Sequence, residues 1–222
     1  MTAFPFNIVG FDLDGTLVDT SRDLAAAVNH ALGVGERPEL PVSQIVTMIG
    51  GGARHMLAQA LDATGGYDEA ELDMLHERLL DHYEAHICVH SAAYPGVIAA
   101  LDELAACGVT LVVATNKIER FTHPLLDRLG LTRRFAVIIS GDTLGAGQQK
   151  PSPAPIEAMI AAAGGGRAAF VGDSIYDVTA AHAAGVPAIV YRHGFTRTGV
   201  DALGADAIID HFNQLIHTLE QL

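Results

Sequence analysis

Two carboxylates separated by one leucine, Asp12-Leu13-Asp14, follow directly on the apolar run Ile8-Val9-Gly10-Phe11 and precede Gly15-Thr16. Alternating strand geometry directs positions 12 and 14 to one side, and glycine lets the backbone turn sharply just beyond them. Two acids in one small site resist simultaneous ionisation. Such a pair binds a divalent cation, divides into one ionised and one protonated carboxyl, or does both. The plainer alternative is a solvated strand end with a turn, since Asp and Gly are common turn residues.

Other polar groups fall at comparable places. Thr115-Asn116-Lys117 follows an apolar run at 109–114, Gly141-Asp142 follows one at 137–140, and Gly172-Asp173-Ser174, with Asp177, follows one at 168–171. Of 13 basic residues only Lys117 and Lys150 are lysines. A compact ammonium in a chain that otherwise uses guanidinium marks both as site candidates.

The elements that must position these groups are legible as alternating patterns. Strands are expected at 8–11, 109–115, 137–140, 168–172 and 188–191, with 207–209 as a short edge strand. Helices are expected at 97–107, 120–129, 153–163, 175–184 and 210–222. Near-continuous apolar strands alternating with helices predict a parallel sheet covered on both faces, with ligands bound outside the carboxyl ends of the strands. Between Thr16 and Tyr94 the pattern is helical throughout, starting from Thr20 or Ser21 as N-cap and broken at Gly33-Val34-Gly35, at 38–41, at Gly50-Gly51-Gly52 and at Gly65-Gly66. That is too long for one crossover and reads as an inserted helical subdomain. The expected class is α/β, a Rossmann-like parallel sheet core formed by 1–18 and 93–222, with the insert at 19–92. The last insert helix, about 68–90, carries Leu72, Leu75, Leu79 and Tyr83 on one stripe and His82, His86 and His90 on another. The histidines are at metal-ligand spacing, but a solvated helix end explains them as well.

Composition sets limits. The 222 residues are 50% hydrophobic with a formal net charge of −13, ample for a buried core and unfavourable for nucleic acid or an anionic membrane as partner. Cys88 and Cys107 form no C-x-x-C pair and read as buried free thiols. No signal peptide or membrane span is evident, so a cytoplasmic protein, monomer or homodimer, is expected.

This set of groups suits phosphoryl transfer. Asp12 can attack phosphorus once anionic repulsion is relieved by Mg²⁺ held between Asp12 and Asp173. Thr115, neighbouring backbone N–H groups and Lys150 can donate to the oxygens of the transferring group. Asp14, kept protonated by neighbouring anions, can protonate the leaving alkoxide and later deprotonate water.

The chain resembles the haloacid dehalogenase-like superfamily through four motifs in order: Asp12-x-Asp14-Gly15-Thr16, Thr115, Lys150, and Gly172-Asp173-x-x-x-Asp177. The resemblance implies Asp12 as nucleophile, Asp14 as general acid/base, and Mg²⁺ held by the Asp12 side chain, the Asp14 carbonyl and the Asp173 side chain. It further implies phosphate binding by Thr115 and Lys150, supporting roles for Asp177 and Thr16, and a helical cap that closes over the site. Within the superfamily, Gly50-Gly51-Gly52-Ala53, Gly141-Asp142-Thr143-Leu144 and Lys150-Pro151-Ser152-Pro153 resemble the bacterial phosphoglycolate phosphatases. The expected substrate is therefore a small phosphorylated metabolite, 2-phosphoglycolate first. Arg54 is the expected grip on its carboxylate, Gly50, Gly51 and Asn116 are further substrate contacts, and Lys117 is a supporting or substrate-facing group.

Three alternatives use the same scaffold. A dehalogenase has no need of Asp14, and a phosphonate hydrolase wants a cap lysine that is lacking here. A phosphomutase of the β-phosphoglucomutase type shares all four motifs. Phosphatases for other monoesters, nucleotides or pyrophosphate stay open, and a catalytically inactive binding module is the non-enzymatic alternative.

Overall fold

A computed structural model describes residues 4–196 and 199–222; the first three residues of the expected core segment lie outside it. The first strand, β1 (Ile8–Phe11), runs out of the sheet at Asp12 and is followed by a two-residue strand, β2 (Val18–Asp19). Helices α1 (Ser21–Val34), α2 (Val42–Ile45), α3 (Ala53–Ala63) and α4 (Glu69–Ala85) come next, then a second two-residue strand, β3 (Ala92–Ala93). The remainder alternates: α5 (Val97–Ala106), β4 (Thr110–Ala114), α6 (Glu119–Arg128), β5 (Val137–Ile139), α7 (Ala154–Ala162), β6 (Ala168–Gly172), α8 (Ile175–Ala183), β7 (Ala188–Tyr191), β8 (Ala207–Ile209) and α9 (Leu215–Gln221).

Six strands pair in the order β5-β4-β1-β6-β7-β8, every neighbouring pair parallel. β1 is thus central, and everything it carries at its carboxyl end is flanked by the ends of β4 and β6. Alternation along the strands separates two apolar layers. Val9, Phe11, Val113 and Val171 face one layer with α5 and α9, while Ile8, Val112, Phe170 and Val190 face the other with α7 and α8. Gly10 admits α7 against β1, since a Cβ there would lie 2.3 Å from Met159 Sδ. The first layer continues without a break into Leu57, Leu61, Leu75 and Leu79 of the helical insert.

Two corrections to the sequence expectation follow. The insert was expected to contain no strand, yet β2 pairs antiparallel with β3, Val18 opposite Ala93 and Asp19 opposite Ala92, at the point where the chain leaves and re-enters the sheet. Two residues per strand are too few to show alternation, and their partner lies far along the chain. Cys107 is exposed rather than buried, and Cys88 is half-buried just beyond α4 with a left-handed backbone (φ 65°). No helix among the described residues is long and apolar enough to cross a membrane.

Candidate active site

At the carboxyl edge of the sheet the two lysines of the chain meet the two carboxylates of the first motif, one each. Asp12 Oδ1 accepts from Lys150 Nζ at 2.7 Å, and the same ammonium donates to Asp177 Oδ1 at 2.6 Å. All three are buried, and Phe170 lies beneath the ammonium at 5.2 Å. Burial raises the Asp12 carboxyl to about 6 against the lowering pull of Lys150, with Asp177 adding to the rise. Burial alone would lower Lys150, but Asp12 and Asp177 outweigh it and hold the ammonium above its ordinary value.

Asp14 is built differently. Both its oxygens accept from Lys117 Nζ, at 3.0 and 2.8 Å, and Oδ1 also accepts from the Thr20 hydroxyl at 2.7 Å. The expectation that neighbouring anions surround Asp14 is corrected here: its contacts are an ammonium and a hydroxyl. The reason is that β1 ends at Phe11, so residues beyond it follow the turn instead of the strand alternation. Gly15 makes that turn at φ +90°, and a Cβ there would lie 2.6 Å from Asp173 Oδ2. Thr20 is the N-cap of α1, as expected, but its hydroxyl serves Asp14 instead of the helix.

Asp173, at the end of β6, accepts from Phe195 N at 2.6 Å through Oδ2, and Thr16 Oγ1 lies 3.5 Å from its Oδ1. Burial and the neighbouring Asp177 and Asp12 push its carboxyl well above the ordinary range. Ligand oxygens of Asp12, Asp173 and Asp177 lie within 4.8 Å of one another. Asp177 has little to offer a metal, because Oδ2 already accepts from Asp173 N, Ser174 N and Ser174 Oγ while Oδ1 takes Lys150. It caps α8 and anchors the ammonium. Asp12 and Asp173 retain oxygen lone pairs, and buried acids held above their normal range call for a cation. The donor set therefore fits a hard divalent ion such as Mg²⁺.

Thr115 directly follows β4, buried, its amide bonded to Ile139 O and its Oγ accepting from Lys117 N at 3.2 Å. The Asn116 amide is committed to positioning: Nδ2 donates to Gly50 O and Lys150 O, and Oδ1 accepts from Lys150 N, all at 2.9 Å. It was expected to touch substrate, but both amide hydrogens are taken, and it ties the lysine-bearing loop to the insert. Gly50 and Gly51 lie against Tyr176, and the Gly50 carbonyl accepts from Asn116.

Arg54 stays off the cavity at Asp12 and Asp14 and lines a neighbouring opening with Gly51, Asn116 and Lys150. Its guanidinium bonds Glu69 and Asp73 at 2.7 Å on the surface of the insert, 46% exposed. The ion-pair partners sit one helix onward, which makes Arg54 a brace between α3 and α4. The histidine stripe does not form a ligand set either. His82 is sandwiched between His30 and His86 at centroid distances of 4.3 and 4.2 Å, and His90 lies beyond α4.

A cavity of about 70 Å³ opens between the sheet edge and the insert, lined by Asp12, Asp14, Thr115 and Lys117 on one side and by Leu79 and Tyr83 on the other. At ~10–15 Å³ per water, that is room for roughly five to seven water positions. Tyr83 was assigned to the apolar stripe alone. Its ring does pack edge-on against Phe121 at 5.1 Å, but its buried hydroxyl sits beside Lys117 without a well-formed hydrogen bond.

Comparison with known proteins places this geometry. Residues 9–191 match the family model for haloacid dehalogenase-like hydrolases. A phosphoglycolate phosphatase from Agrobacterium fabrum is 42% identical over 224 residues, covering 99% of this chain and 95% of its own. One from Caulobacter vibrioides is 40% identical, covering 92% and 86%. Among solved structures, a predicted phosphoglycolate phosphatase from Haemophilus somnus superposes with a TM-score of 0.89 at 31% identity, covering 98% of this chain and 99% of that one. The chain belongs to the haloacid dehalogenase-like hydrolases.

Proposed function

We propose that this hydrolase is a Mg²⁺-dependent phosphatase for 2-phosphoglycolate that works through a phosphorylated Asp12. The observation that carries the chemistry is the buried Asp12–Lys150 pair beside Asp173, a carboxylate held at a fixed place next to an ammonium and a second acid. Thr115 and Lys150 donate to the phosphoryl oxygens. An Asp12 oxygen bonds phosphorus as the bond to the glycolate oxygen breaks, and Asp14, which takes up a proton from solvent as the dianionic substrate loosens its contact with Lys117, passes that proton to the departing alkoxide. In the second half Asp14 removes a proton from the water that attacks the acyl phosphate. Asp12, Asp173 and the Asp14 carbonyl would hold Mg²⁺, which when bound offsets the repulsion between nucleophile and phosphate.

The substrate assignment draws support from the names of the relatives. The experiment is a panel of phosphomonoesters scored by kcat/KM, with phosphate release measured in Mg²⁺ and after chelation. 2-Phosphoglycolate should lead the panel by at least about tenfold, and chelation should abolish turnover. A hexose phosphate or nucleotide at the head of the panel would overturn the substrate, and indifference to chelation would overturn the metal.

A further inference from the structure

The cavity contains chemistry that the four motifs leave unused. Among the side chains that line it, Lys117 is the cationic one. Its side chain is only 4% exposed, and its ammonium stands 4.7 Å above the Tyr83 ring. Around it the walls contributed by the insert are apolar, chiefly Leu24, Ile49, Met56 and Leu79. Tyr83 Oη is a second, independent feature: buried, on a residue that lines the same cavity, and lacking a well-formed hydrogen bond, a state shared among the described residues by Ser140 Oγ. Burial raises that phenol to about 12, so it is a donor throughout the physiological range.

A carboxylate entering such a cavity loses its water on all sides and requires a cation and a hydrogen-bond donor in return. Lys117 and Tyr83 supply one of each. Arg54, the sequence-level candidate for this task, is committed to Glu69 and Asp73.

We propose that Lys117 and the Tyr83 hydroxyl form the subsite for the leaving group's carboxylate, which shares the ammonium that Asp14 holds in this structure. This rests on the phosphoglycolate reading and names the residues that would enforce it. An ammonium has three donor hydrogens, so Lys117 can keep one Asp14 oxygen while turning another hydrogen to the substrate. The substrate's carboxylate then accepts the Lys117 hydrogen that the second Asp14 oxygen accepts in this structure, and that oxygen becomes available to the bridging oxygen of the ester. Recognition and acid–base chemistry thus meet on one side chain, from opposite domains of the site: Lys117 from the end of β4, Tyr83 from α4.

The test compares 2-phosphoglycolate with ethyl phosphate, which matches it in length and lacks the carboxylate, in Mg²⁺-loaded enzyme. The quantity read is the ratio of the two kcat/KM values, which is independent of how much of a variant folds. In the wild type the ratio should be large. K117M should lower it roughly 30- to 1,000-fold, as expected for truncating one partner of a buried charge pair. K117R should restore part of it, and Y83F should lower it about 2- to 10-fold. A K117M enzyme that loses both substrates in parallel, so that the ratio stays at its wild-type value, overturns the subsite and leaves the phosphoglycolate reading standing. A wild-type ratio near one overturns both.

Discussion

Asp12 with Lys150 and Asp14 with Lys117 use the same chemistry two residues apart, yet they are assembled from different parts of the chain. The first pair belongs to the sheet domain: β1, the loop before α7 and the first turn of α8. Asp177 holds the ammonium in place from below, and the Asn116 amide clamps the main chain of Lys150 on both sides. The second pair is shared with the insert. Thr20, at the start of α1, bonds Asp14, and Tyr83 of α4 lies under Lys117. The nucleophile's surroundings are thus fixed by the domain that also fixes the sheet, whereas the acid–base group is held by residues that belong to whatever encloses the leaving group. A scaffold divided in this way keeps the common step constant and lets the variable step answer to the substrate.

The largest effect expected is on the nucleophile. Asp12→Asn should reduce turnover at least ~10⁴-fold while the protein keeps its fold, read by phosphate release and circular dichroism. Substantial residual turnover would move the attacking group elsewhere.

Stability should separate the two pairs next. Lys150→Met leaves Asp12 and Asp177 facing each other with no counter-charge, which costs about 3–5 kcal/mol and lowers Tm by roughly 10 °C. Lys117→Met should lower it less, because Asp14 keeps the Thr20 hydroxyl and 14% of its side chain reaches solvent. Equal losses would erase the distinction between a locked pair and a shared one.

The third expectation concerns protons and metal. The Asp12 carboxyl is raised by burial from 3.8 to about 6, so the folded protein holds this proton more tightly than the unfolded chain does. The resulting stability is complete below pH 3.8 and is lost as pH rises through 6, so the metal-free protein should weaken across that window. Mg²⁺ competes with the same proton, and the Tm increase it produces should be greater at pH 7 than at pH 5. An equal increase at both values would dissociate the metal from Asp12.

Arg54→Ala is the smallest. It removes a surface brace outside the cavity, so kcat/KM for 2-phosphoglycolate should stay within about twofold of wild type. A selective loss on carboxylate-bearing substrates would return Arg54 to recognition and weaken the case for Lys117.

What could be read from the sequence depended on how local its signal was. The six strands of the main sheet and the helices between them announced themselves as apolar runs and helical periods, Asp12, Thr115 and Asp173 as polar residues just beyond strand ends, and Lys150 as a lone lysine in the loop before α7. The scarcity of lysine singled out the two ammonium groups that the structure pairs with Asp14 and Asp12. The failures involve partners distant in sequence. Arg54 reads as a free cation until α4 folds back beside it with Glu69 and Asp73. Tyr83 continues a leucine stripe so well that its hydroxyl goes unnoticed. Asn116 looks like one more ligand donor, because nothing in the chain announces that the Lys150 main chain will consume its amide. Asp14 was placed among anions because only Asp12 is close in sequence, whereas its actual neighbours come from the ends of β2 and β4.

The antiparallel pairing of Val18–Asp19 with Ala92–Ala93 has a genealogical consequence. Because the insert begins and ends on adjacent strands, its two ends are joined by a seam that a single-residue strand would already nearly close. The ribbon holds the two ends of the insert side by side next to β1 and α5. Swapping the insert between relatives therefore requires that this short ribbon be matched together with the apolar layer that runs from the sheet into the insert, and with the insert travels Tyr83 but not Lys117.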